Sequence, residues 1–161
     1  MTLLSAFTRA ISEQGQPLAA MRALANVGAK LFTLTKVEPG SGEAECIYSN
    51  MPDAYPVTGR KPADPSAWSR QVLQERRSFV ANTIAAIAAV FPDHALIRSL
   101  GCESVVNLPI EVNGDVIGTI NLLHEADYYT PERLAAAETL RLPGAVCFLL
   151  CAARSKEIAD V

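Results

Sequence analysis

The sequence predicts an α+β fold: an antiparallel sheet with helices from both ends of the chain laid on it. Three features carry that expectation. Segments with strand-like alternation come in adjacent pairs around turn residues, at 31–50 and 104–124, and strands joined by short turns run antiparallel. Helical periodicity marks 3–14, 17–27 and 130–155, near the two ends of the chain. Finally, 161 residues that are 50% apolar and 19% charged suit a single folded domain with its own core.

Leu3, Leu4, Phe7 and Ile11 recur at helical spacing, and Gly15 breaks the pattern. Pro17 suits the first turn of a second helix with the apolar stripe Leu18, Met21, Leu24 and Ala25. LFTLTKV, 31–37, is rich in branched and aromatic residues and reads as a strand. Pro39 to Gly42 is a turn, and ECIYSN, 45–50, returns as the partner strand. Residues 51–100 are covering segments, opening with a polar stretch that holds Pro52, Pro56, Pro62 and Pro65. Asp64 or Ser66 then caps a helix carrying Trp68, Val72 and Leu73. A short strand, 78–81, leads to a helix opened by Asn82 or Thr83 and ended by Pro92. Asp93 caps one more short helix, which Gly101 closes. Thr130 and Pro131 start the last helix as cap and first residue, and Pro143-Gly144 is expected to kink or split it.

Charge and composition exclude several classes. Net charge is −3, and the basic pairs Arg60-Lys61 and Arg76-Arg77 are too short to follow a phosphate backbone, so no nucleic-acid partner is expected. The longest apolar run, Ala145 to Ala153, has nine residues, against the roughly 20 a spanning helix needs. The N-terminus lacks the pattern of a secretion signal. The expected location is cytoplasmic, with Cys46, Cys102, Cys147 and Cys151 as free thiols. Two histidines without clustered acids give no expected metal site.

The stretch 107–124, NLPIEVNGDVIGTINLLH, is the most informative. Asn107 and Asn121 interrupt apolar strands, and a buried amide is costly unless it is paired. Side chains alternate between the faces of a strand. Val106, Leu108 and Ile110 on the first strand, with Val116, Gly118, Ile120 and Leu122 on the second, are uniformly apolar and predict a helix-covered face. Even positions meet even positions only if the connecting loop has an odd number of residues. Asn113-Gly114 invites a two-residue turn, which would send the asparagines to opposite faces. A three-residue loop, Val112 to Gly114 with Gly114 left-handed, is therefore expected. Asn107 and Asn121 then share the other face, with Thr119 between them. An apolar wall with a few placed polar groups is the chemistry of a small-molecule pocket. The plainer alternative is amides that face water or bond neighbouring backbone.

These residues also carry a resemblance. Gly101 to Ile110, then Asn113-Gly114-Asp115-Val116-Ile117-Gly118-Thr119-Ile120-Asn121-Leu122, then Tyr129-Thr130-Pro131-Glu132, resemble the C-terminal half of a GAF domain. The resemblance implies a profilin-like antiparallel sheet of five or six strands. Terminal helices would pack on one face and a ligand pocket would lie on the other, under 51–100. It further implies a sensory module in signal transduction, and a chain of this length is expected to signal through a separate output protein or a dimer contact. Methionine-R-sulfoxide reductases of this family use cysteines and pocket carboxylates. At the matching strand positions this chain has Val105, Asn121 and Leu123, which are not acids.

The leading expectation is thus a small-molecule-binding module of unknown ligand. Asn107 and Asn121 would orient the ligand over a floor of Val105, Thr119 and Leu123, with Trp68, Phe91 and Tyr48 as candidate walls. Asn50, Phe79 and Asn82 come from segments that can border the pocket. Two other functions remain open: an interaction module with a vestigial pocket, dimerising through the terminal helices, and a thiol enzyme using Cys102. Cys147 and Cys151, four apart on a helix, are expected to pack in a core or dimer contact.

Overall fold

A computed structural model describes residues 2–13, 16–25, 28–57 and 59–159. The chain opens with α1 (Leu3–Ser12), capped by the Thr2 side chain, and α2 (Gln16–Ala25). The expected helix ends at 14, 26 and 27 lie outside the described residues. The strands β1 (Leu31–Val37) and β2 (Ala44–Ser49) form the first hairpin. Then follow α3 (Ala67–Ser69), which runs straight into one π-helical turn (Arg70–Gln74), β3 (Phe79–Ala81), α4 (Ile84–Ala88) and α5 (His94–Ser99). The second hairpin, β4 (Ser104–Val112) with β5 (Asp115–His124), precedes α6 (Pro131–Glu138) and α7 (Arg141–Ala159). The sheet has five strands in the order β2-β1-β5-β4-β3, every neighbouring pair antiparallel.

One face of the sheet is dry. Phe32, Leu34, Leu108, Ile110, Ile120 and Leu122 pack there against Phe7, Leu24, Cys147 and Phe148 from the terminal helices. Helix α7 lies close because two glycines allow it. A Cβ on Gly118 of β5 would stand 2.4 Å from Phe148 Cζ, and one on Gly144 of α7 would stand 2.5 Å from Ile120 Cδ1.

The asparagines do share a face, directly opposite each other in the β4–β5 ladder, but not through the expected loop. Val112 pairs with Asp115 across a two-residue turn in which Asn113 and Gly114 both have positive φ, 53° and 88°, as a type I′ turn requires. A β-bulge restores the parity. Ile110 faces Gly118 while Glu111 faces Val116, which leaves Ile117 as the extra residue. Val116 is thereby turned off the helix face and lines a surface cleft with Ser69 and Leu73. Thr119 stands opposite Pro109, beside the asparagine pair and not between its members.

The last helix splits, as its Pro143-Gly144 suggested, but three to four residues upstream of the proline, at Thr139-Leu140. Pro143 has no N–H to offer Thr139, so it settles in the first turn of α7, where that donor is not needed. By length and composition, Pro131–Lys156 would pass as a helix able to cross a membrane, which corrects the expectation that no segment reaches that length. The segment is broken at Thr139-Leu140, and one side of it, with Cys147 and Phe148, is buried on the sheet. Burial pushes the Cys147 thiol up to about 12, so this cysteine packs as an apolar side chain.

Arg141 ties α7 to the sheet. It donates to the Pro109 carbonyl at 2.6 Å and to Ser78 Oγ at 2.8 Å, and it pairs with Glu138. Burial pushes the Glu138 carboxyl up, but hydrogen bonds from Arg141 and Ser78 and the Arg141 charge outweigh it and hold the group below 4.5. A carboxyl lowered in the folded state stabilises above its unfolded pKa, and that stability is lost as pH falls through the folded value. In urea titrations the wild-type midpoint should therefore fall more steeply below pH 4.5 than that of Glu138→Gln. Parallel curves would show that the cluster contributes nothing.

Tyr129 offers a contrasting case. Its backbone N–H and C=O are both paired by the Asn82 side chain. Its hydroxyl, however, is buried without a hydrogen-bond partner among the described residues. Tyr129→Phe is expected to leave stability unchanged or raise it by up to about 1 kcal/mol, because an unpaired buried hydroxyl carries only a desolvation cost. A measured loss would mean that the hydroxyl has a partner such as ordered water.

Candidate functional site

Three neighbouring strands build the floor of a pocket of about 330 Å3 on the face opposite the terminal helices. Residues at alternate positions point into it: Thr33 and Thr35 from β1, Val105 and Asn107 from β4, and Thr119, Asn121 and Leu123 from β5. The covering segments supply the walls. Trp68 comes from α3, whose cap Ser66 accepts a hydrogen bond from Ser69 N, and Ser69 Oγ in turn donates to the Asp64 carbonyl at 2.5 Å. Phe91, Asp93 and Ile97 come from the α4–α5 region, and Tyr55 and Lys61 from the irregular stretch before α3.

The polar groups on the floor form a directed chain. Trp68 Nε1 donates to Asn107 Oδ1 at 2.9 Å. Asn107 Nδ2 donates to Asn121 Oδ1 at 2.7 Å. Asn121 Nδ2 then donates to both Thr33 Oγ1 at 3.0 Å and Thr35 Oγ1 at 3.1 Å. Both amides are buried, so this pairing answers their desolvation cost. It also means that Asn121 has no N–H left over for a ligand. Asn107 keeps one N–H and one lone pair. Trp68 thus ties the cover to the sheet, and its ring packs edge-on to Phe91 at 6.0 Å between centroids, with Phe79 behind Phe91 at 6.1 Å.

Of the residues singled out in the sequence, Asn107, Asn121, Thr119, Val105, Leu123, Trp68 and Phe91 all line this pocket. Tyr48 does not. A bulge in the β1–β2 ladder sets Leu34 opposite Tyr48 and Thr35 opposite Cys46, which turns Tyr48 to the helix side. There it packs edge-on to Phe32. Cys102 is fully buried among Leu31, Ile97 and Val105, and it is not part of the pocket lining. Burial raises its pKa, which opposes the thiolate a nucleophile needs. Asn50 is structural: it accepts from Phe32 N and donates to the Lys30 carbonyl. Among the described residues no group of His, Cys, Asp and Glu could hold a metal ion.

Several pocket residues escaped the sequence reading. Thr33 and Thr35 were detectable, because they alternate with Phe32 and Leu34 on a strand paired with β5. Asp93 stands at the head of α5 as expected, but it makes no side-chain cap bond there. Its carboxylate accepts from Tyr55 Oη at 2.7 Å instead. Burial and that bond raise the Tyr55 pKa, keeping the phenol protonated as the donor. Lys61 reaches the rim because its backbone pairs with Ala44 at the sheet edge.

With this geometry in hand, the chain compares with known proteins as follows. The GAF domain family model matches residues 18–141. No curated protein matches. Among solved structures, the chain is similar to the GAF domain of a two-component sensor histidine kinase from Bacillus halodurans. That pair shares 13% identity with a TM-score of 0.68, over 89% of this chain and 98% of that one. The A. aeolicus nlh2 GAF domain in an inactive state has 17% identity and a TM-score of 0.66, over 92% and 94%. The phycocyanobilin-bound GAF domain of a cyanobacterial phytochrome has 16% identity and a TM-score of 0.65, over 91% and 93%.

Proposed function

Because the chain belongs to the GAF domain family, we propose that it is a small-molecule-binding regulatory module that works in the cytoplasm and passes occupancy to a dimer contact or a separate output protein. The observation that carries the reading is the pocket on the family's ligand side of the sheet. It joins an apolar wall to a set of placed polar groups, and the cover closes on it through the Trp68–Asn107 bond. Its volume of about 330 Å3 lies at the lower end of small-molecule sites, roughly 300–1,000 Å3, which suits a compact metabolite better than a tetrapyrrole. Exposed Leu4, Leu18, Leu142 and Leu149, all on terminal helices, support the dimer contact.

A thermal-shift screen of metabolites tests this. A ligand at 100 times its Kd adds about 2.7 kcal/mol to the unfolding free energy. The shift should vanish in Ala44→Trp, which fills the pocket from the edge strand. If no compound raises the melting temperature of the wild type, or if the Ala44→Trp protein responds equally, the pocket is not a ligand site.

A further inference from the structure

The pocket is polarised along its strands, and that polarity bears on what it holds. At one end Val105, Leu123 and Ile97 belong to an apolar cluster with Leu31, against which Tyr55 and Phe91 also pack. At the other end Thr35 stands opposite Thr119 on one side and Cys46 on the other. Ala44 follows along β2, with Lys61 bridged to it. The asparagine pair lies between these ends.

The hydroxyl end is short of acceptors. Thr33 and Thr35 spend oxygen lone pairs on the Asn121 amide, so each still has its own hydrogen to donate. Neither hydroxyl donates to any described residue, and Thr119, only 1% exposed, makes no side-chain hydrogen bond among them at all. All three threonines line the pocket. Lys61 at the same rim forms no ion pair among the described residues. The lining has one carboxylate, Asp93, and it is engaged by Tyr55, which packs at the apolar end. Cys46 Sγ donates to the Tyr48 carbonyl. What is missing at this end is therefore a strong acceptor, and a carboxylate supplies up to four acceptor positions. Bonds from neutral hydroxyls to an ionised acceptor are the strong kind.

Building on the pocket reading above, we propose that the ligand is a small organic acid, its carboxylate held by the Thr33, Thr35 and Thr119 hydroxyls beside Lys61, and its apolar body laid along Val105, Leu123 and Ile97 under Trp68 and Phe91. Asn121 sets the arrangement up: its N–H groups occupy the threonine lone pairs and so turn the hydroxyl hydrogens outward.

Calorimetric titration with phenylacetate, phenylacetamide, phenylethanol and phenethylamine tests this, since the four share one apolar body. Phenylacetate should bind at least about tenfold more tightly than the other three, the scale of one charge-assisted hydrogen bond. Thr119→Val, which removes a pocket-lining hydroxyl with no hydrogen-bond partner among the described residues, should fold normally and weaken phenylacetate by about tenfold. Asn121→Asp should also weaken it, because the Thr33 and Thr35 hydroxyls then donate to the new carboxylate. Equal binding of the alcohol or amine, or unchanged phenylacetate affinity in Thr119→Val, overturns the acid assignment while the pocket still stands as a ligand site. Failure of all four compounds also overturns it, and the metabolite screen then decides separately whether the pocket binds anything.

Discussion

Asn121→Leu should lower the unfolding free energy by about 2–3 kcal/mol, the cost of leaving buried polar groups unpaired. The side chain it replaces makes three hydrogen bonds: one accepted from Asn107 and two given to Thr33 and Thr35. Leucine fits the volume and suits the apolar wall, so on burial alone the change would look favourable. The orphaned Asn107 amide decides the sign. That amide is 3% exposed, so its N–H groups depend largely on what stands in the pocket. At about 2–4 °C per kcal/mol for a chain of this size, the melting temperature should drop by about 4–12 °C. Urea titration should show a lower midpoint at unchanged slope. The double change Asn107→Leu with Asn121→Leu removes the orphaned amide but takes the acceptor from Trp68 Nε1, so it should recover only part of the loss. A single substitution that proves neutral would mean that the chain from Trp68 to the threonines is not formed.

Much of this site was legible in the residues, and the parts that were not depend on β-bulges, on strand order and on a contact distant in the chain. Alternation placed Asn107, Asn121, Val105 and Leu123 on one side of the sheet, because a buried face tolerates no slip of register. Alternation counts one residue per position, however, and a β-bulge breaks that count without any sequence mark. The bulge at Ile117 let Asn113-Gly114 form the two-residue turn it favours, while the asparagines stayed in register. The bulge in the first hairpin sent Tyr48 to the helix side. The threonines of β1 were readable in principle, but their value depends on which strand lies beside β5, and that is a matter of topology. The polarity of the hydrogen-bond chain was not readable at all. It requires Trp68 from a distant, irregular segment to reach Asn107. Cys102, which the sequence left open as an enzymic thiol, is fully buried and lies outside the pocket lining.

Gly118→Val sets strand propensity against packing, and packing should win. Valine is among the best strand formers and glycine among the worst, a range of about 1 kcal/mol in favour of the change. But Gly118 sits on the helix side of β5, where the Phe148 ring occupies the space of the missing side chain. Its Cε1 and Cε2 would lie 2.6 and 2.8 Å from the first added carbon. The ring is itself buried, 4% exposed, so it has nowhere to swing without lifting α7 from the sheet. Overpacking of this kind costs typically 1–3 kcal/mol and occasionally more, and two further methyl groups place the expected loss at about 3 kcal/mol. Smaller Gly118→Ala separates the two effects. Alone it should destabilise, and combined with Phe148→Leu it should cost less than the sum of the single changes, the coupling expected of residues in contact. Strictly additive losses would show that the close approach of α7 does not depend on this glycine, and the Ile117-Gly118 pair would then owe its glycine to the backbone of the bulge instead.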